Sequence, residues 1–129
     1  MISRINLITI WTNQINEMKN FYLDILGFEI ENDLGNYIEF NNEGVRFAIC
    51  ERAIMHSYSD EFKNDSKGQV LELAFKCEDE RDLDTTYHDF LDKEVKIVKP
   101  PKVMPWGQKT CLFSDPDGNI HEIFTEIKN

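Results

Sequence analysis

The chain lacks several of the features that would settle a function quickly. It has three cysteines, Cys50, Cys77 and Cys111, with no Cys-x-x-Cys spacing among them. All three fall in strand-like segments, so buried free thiols are expected rather than a disulfide framework or a redox pair. No apolar run approaches membrane-spanning length, which removes the membrane as a partner. Near the start, Ser3-Arg4 leads directly into an apolar strand pattern, without a signal-peptide h-region and small-residue cleavage site; a cytoplasmic location is expected. In such a location the sequon Asn64-Asp65-Ser66 carries no meaning. Cations are scarce as well: 14 Lys and Arg stand against 24 Asp and Glu, for a net charge of -10. That balance argues against nucleic acid and favours neutral or cationic ligands.

What the chain does have is a core. Its 129 residues, 41% apolar and 12% aromatic, suit a single globular domain that needs no metal or disulfide staple. The most informative stretch is Pro105-Trp106-Gly107-Gln108 through Asp115-Pro116-Asp117-Gly118-Asn119 to Glu126. Pro116 presets a turn dihedral, Asp115 can bond back to the backbone, and Gly118 accepts a positive φ, so two strands meet in a hairpin. On the outgoing strand Ile120, Glu122 and Phe124 share one face and His121, Ile123 and Thr125 the other. Glu122 is thus a carboxylate between two apolar neighbours, which places it either at a sheet rim or where a charge has a use. The turn is not an EF-hand loop, because its glycine comes too early and no bidentate Glu follows in place. Nor does His121-Glu122 open a zincin motif, since Thr125 stands where the second His would be.

In chain order, residues 5–12 read as a strand apolar on both faces, and 14–26 as an amphipathic helix with Asn13 as N-cap and Gly27 as stop. Residues 28–31, 37–40 and 45–50 form a meander of three short strands. Residues 51–68 are polar and aperiodic, a long mobile loop that carries Met55, His56 and Tyr58 and could cover a site. A strand over 70–77, an acidic turn, a helix through about Asp92 and a strand over 95–98 follow. The segment 99–106, stiffened by Pro100, Pro101 and Pro105, reads as a linker into the final hairpin. Strand, helix, strand, strand, strand occurs twice, the mark of an internal βαβββ repeat.

Phe21-Tyr22, Leu26-Gly27-Phe28, Trp106-Gly107-Gln108 and Asp115-Pro116-Asp117-Gly118-Asn119 with Glu122 resemble, in order and spacing over nearly the whole chain, the vicinal oxygen chelate superfamily. That superfamily holds glyoxalases, bleomycin- and fosfomycin-resistance proteins and extradiol dioxygenases. The resemblance implies an α+β fold of two βαβββ modules, here about 1–52 and 69–129 of one domain spanning 1–129, joined by the long loop. It also implies a cavity enclosed by paired modules, commonly across a homodimer. Metal-using members carry His or Glu on the first and last strand of each module. Gapless placement puts those positions at Leu7, Ala48, Glu72 and Glu122, and a one-residue slip offers Asn6 in place of Leu7. Two carboxylates alone would hold a divalent ion weakly, so no metal cofactor is expected, a divalent ion being the alternative. His88 lies on the second helix and His121 faces away from Glu122; only His56 could fold over the site.

Sharing faces with those four positions are Thr9, Trp11, Arg46, Cys50 and Ala74, and the linker can add Met104, Trp106 and Gln108. Together these would make an aromatic-walled site with a few polar groups, as small-molecule sites are. Each has a plainer reading. Trp11 and Trp106 could be core, as Tyr37 and Phe40 more often are, and Glu72 could simply pair with Arg46 across strands. If Glu72 and Glu122 face one another without metal, one of them holds its proton more tightly and could act in proton transfer. The expectation is therefore a small-molecule-binding protein for an aromatic or cationic organic compound. The alternative is a metal-dependent lyase, isomerase or dioxygenase with Glu122 as ligand or catalytic base, and an interaction protein comes third.

Overall fold

The computed structural model describes residues 1–63 and 69–128; the sequon lies outside them. The chain forms two compact units, Met1–Ser66 and Lys67–Asn129.

In the first unit, β1 (Leu7–Thr12) leads into α1 (Ile15–Asn20), which continues as a π-helical turn over Phe21–Ile25. The strands β2 (Ile30–Asp33), β3 (Tyr37–Phe40) and β4 (Arg46–Glu51) follow, and the sheet order is β1-β4-β3-β2. β1 runs parallel to β4, and the other neighbours are antiparallel. In the second unit β5 (Ala74–Lys76), α3 (Glu80–Asp92), β6 (Lys96–Val103), β7 (Gln108–Ser114) and β8 (Ile120–Glu126) give the order β5-β8-β7-β6. Both units therefore have one βαβββ topology, and the chain is α+β as the repeat implies.

Each unit buries one sheet face against its helix. Tyr22, fully buried, packs on Phe40 and Phe47 at centroid distances of 5.7 and 5.3 Å, with Phe28 beside them. Burying one such ring contributes about 2 kcal/mol. The π turn, marked by the Leu26 amide bonding Phe21 O at 3.1 Å, adds a residue to the turn, and the consecutive rings of Phe21 and Tyr22 are both buried. Gly27 ends the helix at φ +77°, a conformation costly for any residue with a Cβ. The residue at the N-cap is Gln14 rather than Asn13, and the buried Thr12 Oγ1 accepts its amide at 3.0 Å.

In the second unit Phe90 of α3 meets Phe113 at 4.9 Å, and Lys109 Nζ reaches Asp84 at 3.0 Å. Asp79 caps α3 through the Asp82 amide at 2.8 Å, worth about 1 kcal/mol. The hairpin turn is as the sequence dictates: Asp115 Oδ1 accepts from the amides of Asp117 and Asn119 at 3.0 and 2.9 Å, and Gly118 takes φ +86°.

Three expectations need correction. The supposed linker 99–106 is largely strand, because β6 runs through Pro100 and Pro101 to Val103. It is the sheet edge, where missing amides cost little, and two register shifts absorb the irregularity. The loop after β4 is not structureless: α2 (Arg52–His56) and a 3-10 turn at Asp60–Phe62 occupy it, while 64–68 lie outside the described residues. Finally, the fifth strand is only Ala74–Lys76, shorter than the expected 70–77.

Candidate functional site

Since Phe47, Phe40 and Tyr22 fix the helix face of the first sheet, strand alternation puts Leu7, Thr9, Trp11, Tyr37, Glu39, Arg46, Ala48 and Cys50 on the far face. The register agrees, with Leu7 opposite Arg46, Thr9 opposite Ala48, Trp11 opposite Cys50, and Glu39 opposite Ala48. Arg46 pairs within its own sheet, with Glu39. Its Nε donates to Glu39 Oε2 at 2.9 Å and its Nη2 to Oε1 at 2.6 Å, and the Tyr37 hydroxyl donates to Oε1 at 3.0 Å. Tyr37 is thus half-buried on the far face rather than in the aromatic core. The Arg46 bonds hold the Glu39 carboxyl below its usual range against the upward push of burial, with Tyr37 adding to them. Burial first, then the bond to Glu39, pushes the Tyr37 phenol up. Glu39 is buried, whereas the Arg46 side chain is 50% exposed.

At the other end of this face Trp11 is 39% exposed. Phe62 meets it edge-on at 4.5 Å, and the Arg52 guanidinium lies 5.9 Å from its centroid. The segment after β4 therefore packs on Trp11, an arrangement that gives both aromatic and cation–π contact. His56 pairs instead with Asp60 at 3.1 Å on the exposed side of that segment.

The second sheet repeats the pattern. Phe113 and His121 share the helix face, so Glu122, Phe124, Leu112, Thr110 and Gln108 lie on the far one, with Leu112 opposite Glu122 and Thr110 opposite Phe124. Glu122 is half-buried. Burial first, and Glu72 second, push its carboxyl above the ordinary glutamate range. Glu72 itself is exposed and sits before β5, so it is not a strand residue as expected. Ala74, on β5, faces Glu122 directly.

The β6–β7 hairpin closes through a three-residue loop. The Gly107 amide bonds Met104 O at 3.1 Å, the Met104 amide bonds Gln108 O at 2.7 Å, and Gly107 has φ +83°. Trp106 stands at its tip, 64% exposed, its Nε1 donating to Gln108 Oε1 at 3.0 Å, while Gln108 Nε2 donates to Glu126 at 2.9 Å. Met104 is half-buried beside it.

Leu7 stands two residues before Thr9, the partner of Ala48, just as Glu72 stands two before Ala74, the partner of Glu122. The four positions implied for a metal are thus equivalent in their own units. The side chains of Leu7 and Ala48 have no ligating atom, and among the described residues no group of three His, Cys, Asp or Glu could hold an ion. The residues present do not fit an imidazole-plus-carboxylate set.

The thiols are free and buried. Burial, and Cys77 after it, pushes Cys111 up to about 11, which leaves it without nucleophilic character. Sequence reasoning does not single out Glu39 or Phe62; the alternation Tyr37-Ile38-Glu39-Phe40, which puts Glu39 with Tyr37 on the face opposite Phe40, is the signal that could have found Glu39.

A glyoxalase-like domain model matches residues 5–128. The chain is 32% identical over 124 residues to YraH of Bacillus subtilis (strain 168), described as uncharacterized, covering 91% of this chain and 94% of that protein. It is 28% identical to the metallothiol transferase FosB of Staphylococcus saprophyticus, covering 97% of this chain and 78% of that one. A glyoxalase/bleomycin resistance protein/dioxygenase from Nocardioides superposes with TM-score 0.84 at 20% identity, over all of this chain and 88% of the other. The chain belongs to the glyoxalase-like family within the vicinal oxygen chelate superfamily.

Proposed function

We propose that the protein binds a small organic molecule with an aromatic part, without a complete metal site, and works as a cytoplasmic homodimer. The observation that carries this reading is the make-up of the far sheet faces. Each mixes apolar and polar groups as small-molecule sites do: in the first unit Leu7 and Trp11 with the Glu39–Arg46 pair, in the second Leu112 and Phe124 with Glu122. Thr9, Ala48 and Gln108 line the same faces, and Met104 and Trp106 flank the second at its hairpin end. The cationic ligand suggested by net charge has less support, because Glu72 is exposed and burial, then Glu72, pushes the Glu122 carboxyl above the ordinary glutamate range.

The raised Glu122 carboxyl favours one second reading, an enzyme in which it is the proton-transfer group. The likeness to a metallothiol transferase makes metal-dependent chemistry the form to test. Elemental analysis of the purified protein, paired with a thermal-shift screen of aromatic compounds, decides between them. The proposal expects substoichiometric transition metal and stabilisation by at least one aromatic compound. One metal ion per chain, with stabilisation only when it is loaded, would favour the enzyme.

A further inference from the structure

We propose that Arg46 is the anchor for a carboxylate of the bound molecule, which makes the ligand class an aromatic carboxylate; this rests on the small-molecule reading above. A guanidinium has five N–H donors in a planar fork. Glu39 takes two of them, from Nε and Nη2, and fixes the plane. The carboxylate is itself buried and tied by the Tyr37 hydroxyl, which holds the Arg46 partner in place. Among the described residues Glu39 is the hydrogen-bond partner of the Arg46 guanidinium, which leaves its remaining donors on a side chain that is 50% exposed. A planar guanidinium edge already held on one side is suited to carboxylate, since charge-assisted bonds to it are the strong ones and less rotamer entropy is lost per bond formed.

The rest of the face supplies the other half of the ligand. Arg46 lies beside Leu7, and Trp11 beside Cys50, four strand residues or about 13 Å along. Between them stand Thr9 and Ala48, a short and uncharged floor. Among the far-face strand residues of the first sheet Arg46 is the one cation, while the Arg52 guanidinium at the opposite end is set against the Trp11 ring, 5.9 Å from its centroid. A negatively charged head at Arg46 and a ring toward Trp11 match this polarity.

The test uses a matched series on the intact protein: 4-phenylbutyrate, its primary amide and the corresponding amine, titrated by calorimetry. The carboxylate is expected to bind about tenfold or more tightly than the amide or amine, and Arg46→Gln to erase that preference. Arg46→Lys keeps a charge for Glu39 but loses the fork and should retain only part of it. If Arg46→Gln alone fails to fold with Glu39 left unpaired, the Arg46→Gln, Glu39→Gln double variant carries the same comparison. Equal binding of carboxylate and amide, or a preference that survives loss of the guanidinium, overturns the proposal. So does stabilisation by neutral or cationic compounds with none by carboxylates, which leaves the small-molecule reading standing. Stabilisation by no compound of any class removes both.

Discussion

The Leu73 amide donates to Nδ1 of His121 at 3.1 Å, which ties the chain ahead of β5 to the buried face of β8. The other ring nitrogen, Nε2, lies 3.2 Å from Asp115 Oδ2, so the proton belongs on that side. One imidazole thereby joins the hairpin turn to the neighbouring strand. His121→Ala is expected to cost about 3 kcal/mol, from the void and from the stranded Leu73 and Asp115 groups. Urea unfolding measures it, and a loss below about 0.5 kcal/mol would mean that the ring merely fills space.

The two carboxyls on the far faces give stability opposite pH dependences. Glu122 has a raised pKa in the folded chain, so between its ordinary and raised values the folded state binds more protons than the unfolded one. Stability from this group therefore falls as pH rises through that window, and Glu122→Gln should flatten the fall. Glu39 runs the other way: its pKa is lowered, so its contribution is present above the ordinary glutamate value and disappears as pH drops through the lowered one. Denaturation midpoints against pH for Glu122→Gln and Glu39→Gln check both signs. Parallel profiles for wild type and variants would contradict the account.

Thiol reactivity separates buried from functional cysteine. With Cys111 pushed to about 11 and all three thiols buried, a chromogenic disulfide at pH 8 should leave the folded protein unlabelled and titrate three thiols in urea. Fast labelling of one cysteine in the native state would mark a reactive site.

Packing of Phe62 on Trp11 predicts an optical signature. In a Trp106→Phe background, Phe62→Ala should shift Trp11 emission to the red while changing stability by less than about 1 kcal/mol, because neither ring lies in the core. An unchanged spectrum would mean that the segment after β4 does not rest on Trp11 in solution.

Much of this was legible in the residues, and what was not has identifiable causes. The Asp115–Gly118 turn is closed by bonds within Asp115–Asn119 and so reads directly from sequence. The strand through Pro100 and Pro101 does not, because proline tolerance depends on edge position, which is set by the whole sheet. A five-residue helix such as Arg52–His56 is too short to show a period, and its stability comes from tertiary contact. Val70 to Leu73 is apolar enough for a strand, yet only Ala74–Lys76 pair along β8 in regular register. The Glu39–Arg46 pair spans a hairpin whose register is needed before the two can be put together. At the site, face-sharing was readable by alternation, while exposure of Glu72 and Trp106 was not, since it depends on where strands and turns end.

The central claim, a small organic ligand held without a complete metal site, is tested most directly by calorimetric titration of the most stabilising compound from the thermal-shift screen into protein dialysed against a chelator, beside the same protein reloaded with zinc or manganese. The account predicts binding of equal affinity in both samples, since Leu7 and Ala48 offer an ion nothing. Binding that vanishes on chelation and returns with one metal ion per chain would contradict it.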